Sequence, residues 1–210
     1  MAARVGCIAW GSLLWDPRTL PLAAPFRHAG PPLPIEFSRV ALDGRVTLVI
    51  DPEAAPVRTW WAPLAVASID SAVAELARRE GVAAARVADW IGLATRVDAT
   101  ATAAAGSGVA IASRSLGSTA GPSRSGIERW LAEQSLDAVV WTALPARRPD
   151  GRFERPACAE LIEHLERLEG VGRERAERYV RRAPAPLRTP NRIAFEARFG
   201  WSCDVDAGRS

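Results

Sequence analysis

The residue types that most often carry catalysis or bind metals are scarce in this chain of 210 residues. There are two histidines, His28 in a proline-rich loop and His164 between glutamates on a predicted helix. The three cysteines are widely spaced: Cys7, Cys158 and Cys203. No CxxC pair or other zinc-type spacing occurs. The sequence therefore shows no spacing typical of a zinc site, and it argues against catalysis by histidine.

Long apolar segments are also missing. The apolar run from Val5 is broken at Gly11 and Ser12, too early for the hydrophobic segment of a signal peptide. No stretch reaches the roughly 18 apolar residues that a membrane helix needs. Together with the odd number of cysteines, these features predict a cytoplasmic protein without a membrane partner.

The overall amino-acid composition is typical of a globular chain with one full hydrophobic core. Hydrophobic residues make up 48% of the sequence and charged residues 24%, so wholesale disorder is excluded. The net charge is only +3, and the basic excess lies mainly after Arg147. This local excess indicates a solvated basic face rather than a polyanion partner.

The first half of the chain predicts short strands. Val5 to Trp10 is a buried strand followed by a tight turn. Ile35 to Val40 and Arg45 to Ile50 flank Asp43-Gly44, a strong signal for an antiparallel hairpin. Thr59 to Ser68 predicts a further strand in spite of an internal proline.

A helix is predicted next, from Ser71 to Arg79. Asp70 is a natural N-cap for this helix, and Gly81 is well placed as its C-cap. This arrangement puts Glu80 at the C-terminal end of the helix.

The second half begins with a stretch of Ala, Gly, Ser and Thr. We expect residues 99–125 to be flexible, with one strand at Val109 to Ser113. A helix from Ile127 to Gln134 and a buried strand from Ala138 to Leu144 follow, and then a helical tail. The expected organisation is a core of residues 1–145 with a helical segment, 146–210, packed on it.

Two motifs could carry chemistry. The turn at Trp10-Gly11-Ser12-Leu13 could direct several backbone N–H groups into one concavity that binds a carboxylate or an oxyanion. Glu80, at the negative end of a helix dipole, could transfer protons. Each motif alone also fits a plain structural role, an ordinary turn in the first case and a surface glutamate paired with arginine in the second.

Taken together, the two motifs resemble the γ-glutamylcyclotransferase-like superfamily, in which a Tyr-Gly-Ser loop opens the domain and a later glutamate before a glycine is the acid/base. The run from Gly11 to Trp15, closed by Pro17, is similar to the ChaC-type branch that cleaves glutathione. Asp137 to Thr142 and Tyr179 to Pro184 resemble an uncharacterised bacterial subgroup.

This resemblance implies an α+β fold, a small mixed β-barrel flanked by helices. It implies Glu80 as catalytic acid/base, and Trp10, Gly11, Ser12 and Leu13 as the substrate-binding loop. The substrate would be a small γ-glutamyl amine, peptide or glutathione-type molecule that releases 5-oxoproline, with no metal or cofactor. Two departures from the family are Trp10 in place of Tyr and the presence of a single tyrosine, Tyr179.

Two alternatives stay open. The loss of the phenol at Trp10 favours a small-molecule binding protein of the same fold without turnover. Leu165 to Ala176, with Gly170-Val171-Gly172, resembles a helix-hairpin-helix that contacts nucleic-acid phosphates. Such motifs usually occur in pairs and only one is found, so two helices joined by a glycine turn is the favoured interpretation.

Overall fold

The structure is a computed structural model and describes residues 3–96 and 122–204. In these ranges the protein is α+β, with two sheets and six α-helices, as the sequence predicts. The strands are β1 (Val5–Ala9), β2 (Pro32–Val40), β3 (Val46–Ile50), β4 (Pro56–Arg58), β5 (Trp60–Pro63), β6 (Ile91–Thr95) and β7 (Ala138–Thr142). The helices are α1 (Ile69–Glu80), α2 (Val87–Trp90), α3 (Pro122–Glu133), α4 (Cys158–Arg167), α5 (Gly170–Arg182) and α6 (Pro190–Phe199).

The chain divides into two compact units, each built from three segments. Unit 1 comprises Met1–Ala9, Pro17–Pro32 and Arg58–Leu144. Unit 2 comprises Trp10–Asp16, Leu33–Val57 and Pro145–Ser210.

Unit 1 contains a four-stranded sheet in the order β5-β1-β7-β6. β1 runs parallel to β7 and antiparallel to β5, and β6 runs antiparallel to β7. Every residue of β1 is buried, which explains why this strand is a continuous apolar run rather than an alternating one. The predicted strand at Thr59 to Ser68 is too long, because β5 ends at Pro63, which cannot donate a ladder hydrogen bond.

Helix α1 begins earlier than predicted. Ser68, not Asp70, is the N-cap, because its extended backbone lets its side chain accept a hydrogen bond from the Ser71 N–H in a capping box. The predicted C-cap is confirmed, since Gly81 adopts a left-handed conformation with φ of 66°. Glu80 is therefore the last residue of the helix.

Unit 2 contains a three-stranded sheet in the order β3-β2-β4. The predicted hairpin is confirmed, since β2 and β3 pair antiparallel with Val40 opposite Val46. The Ala41 N–H donates to the Arg45 carbonyl at 2.8 Å, and Gly44 closes the loop with φ of 84°. β3 is an edge strand of this sheet.

Helices α4, α5 and α6 complete unit 2, as the helical tail predicts. Glu36 of β2 joins the sheet to the start of α6. Its buried carboxylate accepts hydrogen bonds from the Thr189 hydroxyl and, at 3.3 Å, from the Asn191 N–H. Thr189 is also the N-cap of α6.

Some of the sequence predictions are not tested by the residues that the structure describes. The strand predicted at Val109 to Ser113 lies outside the described residues, as does most of the 99–125 stretch, although α3 already begins at Pro122. The division at residue 145 stays a prediction. The strands of the described ranges form no closed barrel. No helix in the same ranges is both long and apolar enough to cross a lipid bilayer.

Candidate functional site

The loop predicted to bind substrate lies in unit 2 and forms a tight turn. Gly11 precedes a single 3-10 turn at Ser12–Leu14. The Leu14 N–H donates to the Gly11 carbonyl at 3.0 Å, and the Asp16 N–H donates to the Ser12 carbonyl at 2.8 Å. The side chain of Leu13 is buried, so this residue offers only its backbone to a ligand.

Trp10 and Tyr179 hold one peptide unit of the edge strand β3. The buried Trp10 indole N–H donates to the Leu48 carbonyl at 3.2 Å. The Leu48 N–H in turn donates to the Tyr179 hydroxyl at 3.4 Å. The indole has one donor, and that donor is used here. Trp10 thus has a structural role, and a contact between its side chain and a substrate stays a prediction.

Gly11 lies against the same tyrosine. A Cβ atom added at Gly11 would lie 2.7 Å from the Tyr179 hydroxyl oxygen, closer than real Cβ atoms approach. The packed side chain of Tyr179 on α5 therefore favours glycine at this position, independently of any ligand.

A cavity of about 230 Å³ lies beside this turn, within unit 2. Three elements supply its walls: the residue after the 3-10 turn, the loop of the β2–β3 hairpin, and one face of α5. The lining residues are Trp15, Asp43, Arg45, Arg175, Arg178, Tyr179 and Arg182.

The cavity is strongly basic and has aromatic walls. Arg45 forms a salt bridge to Asp43 at 2.8 Å, and its guanidinium lies 5.5 Å from the centre of the Tyr179 ring. The guanidinium of Arg182 lies 5.7 Å from the Trp15 ring. Such contacts are in the range of cation–π attraction and orient both cations. One carboxylate thus faces four guanidinium groups.

Glu80 lies in unit 1, where α1 ends, and only 14% of its side chain is exposed. Its Oε1 atom accepts hydrogen bonds from Arg79 Nη1 at 2.7 Å and from the Thr142 hydroxyl at 3.3 Å. No residue in the two described ranges bonds to Oε2. The pair with Arg79 is not a surface ion pair, because the Arg79 side chain is only 4% exposed.

Cys7 lies on β1 of the same unit and is fully buried. The pKa of its thiol is raised to about 12, chiefly by burial and also by the negative charge of Glu80, whereas Arg79 opposes the shift. The thiol therefore stays protonated at neutral pH and does not act as a nucleophile. Cys7 is thus a buried residue of the strand that the sequence predicts from Val5 to Trp10.

Five arginines follow the Gly170-Val171-Gly172 turn on α5, and they divide into two sets. Arg173 donates to the Leu165 carbonyl at 2.9 Å and packs against the rings of Phe199 and Trp201. Arg181 pairs with Asp204 at 3.0 Å. The other three, Arg175, Arg178 and Arg182, line the cavity.

The cavity was not predicted from the sequence, although the spacing of four residues on α5 indicates it. Arg175, Arg178, Tyr179 and Arg182 follow the i, i+3, i+4, i+7 spacing of one helix face. What could not be read from this spacing is that the face meets the Trp10 turn and the Asp43 hairpin, because that proximity depends on the tertiary fold.

Comparison of the chain with protein-family models, curated proteins and solved structures found no match. Among the described residues, no group of three His, Cys, Asp or Glu side chains is placed to hold a metal ion.

Proposed function

We propose that the chain is a γ-glutamylcyclotransferase-like enzyme that releases 5-oxoproline from a small γ-glutamyl substrate, with Glu80 as acid/base. The observation that carries this proposal is the setting of the Glu80 carboxylate. Oε1 is held by Arg79 and Thr142, whereas Oε2 receives no hydrogen bond from a described residue. A carboxylate that is fixed through one oxygen and open at the other can move a proton without reorienting.

In the proposed reaction, the α-amino nitrogen of the substrate attacks its own γ-carbonyl carbon. Glu80 takes the proton that this nitrogen loses and gives it to the leaving amine as the original C–N bond breaks. The backbone N–H groups of Gly11, Ser12 and Leu13 stabilise the glutamyl carboxylate or the oxyanion. Ring closure is favoured because both reacting groups belong to one molecule. Atoms and protons balance without water, metal or cofactor.

Three further statements belong to the same proposal. The first is that Glu80 and the Gly11-Ser12 turn contact one substrate molecule, which the chemistry requires. The second is the finer fold, the mixed β-barrel of the superfamily. The third is a reducing, cytoplasmic location. The support for all three is the resemblance of the Trp10-to-Pro17 and Glu80-Gly81 motifs to the family.

The proposal is tested by incubating the protein with a panel of γ-glutamyl amines, γ-glutamyl dipeptides and glutathione, and by measuring 5-oxoproline. Glu80→Gln is nearly isosteric but cannot shuttle a proton, so kcat should fall by at least about 100-fold while substrate still binds. Because Glu80 is the partner of a buried arginine, the variant should also lose about 1–3 kcal/mol of stability.

A matched control separates the lost proton transfer from the lost stability. Thr142→Val removes the second hydrogen bond to Oε1 but keeps the carboxylate and its arginine. It should lower kcat far less than Glu80→Gln does, and melting temperatures should show that both variants are folded. Full turnover by Glu80→Gln would show that the chemistry lies elsewhere. Binding of γ-glutamyl compounds without 5-oxoproline release would favour the binding protein without turnover.

A further inference from the structure

The cavity of unit 2 contains more positive charge than its own carboxylate can balance. Asp43 is already paired with Arg45. Arg175, Arg178 and Arg182 form no ion pair with any residue that the structure describes. Guanidinium groups gathered around one concavity repel each other, and this repulsion falls when an anion binds between them.

The residue type also points to a class of ligand. The 27 basic residues of the chain are all arginines, so lysine is not used anywhere for point-charge attraction. Arginine presents a planar fork of donors that matches phosphate and carboxylate oxygens. Two of the forks in the cavity are held in place by neighbours, Arg45 by Asp43 and Arg182 by the Trp15 ring.

The size and charge of the cavity further restrict the class of ligand that it can bind. The cavity volume of about 230 Å³ leaves room for one small charged group with a short substituent. A carboxylate brings one charge and two oxygens. A phosphate monoester brings a charge of about −1.5 to −2 at pH 7 and three strong acceptor oxygens, which fits three unpaired guanidinium groups better.

We propose that this cavity is a binding site for the phosphate group of a small phosphate monoester, held by Arg175, Arg178 and Arg182. The site does not depend on the proposed cyclotransferase activity, and none of its lining residues is assigned to proton transfer. A nucleic-acid strand carries related phosphate chemistry. The small concave site with two aromatic walls favours a small ligand, and the experiment separates the two sources.

The test is calorimetric titration of the full chain with inorganic phosphate and with methyl phosphate, at pH 7.5 and at constant ionic strength. Arg178→Gln and Arg182→Gln should each raise the dissociation constant at least about tenfold, because each removes a charge-assisted hydrogen bond. Both residues are exposed, so the variants should fold. The matched control is Arg167→Gln on α4, which is exposed, paired with Glu163 and outside the cavity. It should change binding by less than about twofold.

Three results would overturn the proposal. The first is absence of phosphate and methyl phosphate binding by the wild-type chain. The second is equal binding by wild type and the two cavity variants. The third is tighter binding of glutarate, or of a single-stranded oligonucleotide that phosphate does not displace, which would assign the cavity to a dicarboxylate or to nucleic acid. None of these results bears on 5-oxoproline release, which is decided separately by Glu80→Gln.

Discussion

At the scale of single residues, the hydroxyl of Tyr179 contacts both the edge strand β3 and the turn at Gly11. It accepts a hydrogen bond from the Leu48 N–H, and it lies where a Cβ atom of residue 11 would have to go. The same oxygen thus fixes the edge of β3 and restricts the turn to glycine. A substitution at Gly11 therefore tests packing as well as substrate binding, and the two effects need to be separated.

We expect Gly11→Ala to destabilise the protein by about 1–3 kcal/mol, the usual effect of forcing an extra methyl into a packed site. Removing the hydroxyl should relieve the clash, since the next nearest Tyr179 atom is 3.8 Å from the added Cβ. Gly11→Ala combined with Tyr179→Phe should therefore lose less stability than the sum of the two single variants. Urea unfolding of all four proteins measures this coupling. Strictly additive losses would mean that the backbone of the turn, not the tyrosine, requires glycine.

At the scale of elements, two glycines of unit 2 differ in how well their positions could accept a side chain. Gly44 closes the β2–β3 hairpin with a positive φ, and an added Cβ would lie 3.0 Å from Leu168 Cδ2. Gly172 lies in the first turn of α5, where the nearest atom to an added Cβ is 3.9 Å away. The first position is strained for any other residue, whereas the second is not.

Gly44→Ala should accordingly lose about 1–2 kcal/mol of unfolding free energy, through the positive φ and the contact with Leu168. Gly172→Ala is the matched control and should be neutral or gain up to about 1 kcal/mol, since alanine favours the helix. Thermal and urea unfolding compare the two. A stable Gly44→Ala protein would show that the hairpin loop can adopt another turn.

Glu36 gives the junction of β2 and α6 a dependence on pH. Burial raises the pKa of Glu36 above its usual value, the nearby charge of Asp51 adds to this, and the hydrogen bonds from Thr189 and two backbone N–H groups oppose it. The folded state therefore holds a proton that the unfolded state releases over the interval between the two pKa values. In that interval, stability falls as the pH rises.

Glu36→Gln removes this ionisation but keeps a side chain of similar shape. The unfolding free energy of the variant minus that of wild type should increase as the pH rises above about 4, the usual pKa of a glutamate, because only wild type then buries a negative charge. Urea unfolding at several pH values gives this difference. Parallel profiles, or a difference that falls with pH, would contradict the assigned cause.

At the scale of the whole molecule, the chain assembles unit 2 from segments that are far apart in sequence. Phe37 of β2 packs edge-on against Tyr179 and Phe195, with ring centres 6.2 Å and 5.8 Å apart. Glu36 and the Leu48 peptide unit also find partners on α5 and α6 or next to them. The β2–β3 hairpin thus depends on residues from the last third of the chain.

We therefore expect a chain truncated after residue 145 to lose the structure of this hairpin, because an isolated hairpin is at best marginally stable in water. Hydrogen exchange should show fast exchange of the β2 and β3 amides in the truncated chain and protection in the full chain. Wild-type protection in the truncated chain would show instead that residues 1–145 form a core on their own. In that case the helical segment would be an addition to a complete domain.

The sequence predicted the features that depend on local backbone chemistry. Asp43-Gly44 gave the hairpin and Gly81 the end of α1, because each turn needs a residue that tolerates positive φ. Because Gly81 ends α1, the sequence also placed Glu80 correctly at the last position of the helix. Its hydrogen bond from Thr142 was not predictable, because that bond joins residues 62 positions apart. The cavity was missed because its walls come from three separate segments.

The two hydrogen bonds that Trp10 and Tyr179 form with the Leu48 backbone also affect how the protein behaves at high concentration. An edge strand exposes backbone groups that can pair with a strand of another molecule, and such pairing leads to self-association. Here the carbonyl and N–H of Leu48 are occupied by Trp10 and Tyr179, so an incoming strand would first have to displace two buried aromatic side chains. Substitution of either aromatic residue should therefore increase self-association of the protein at high concentration.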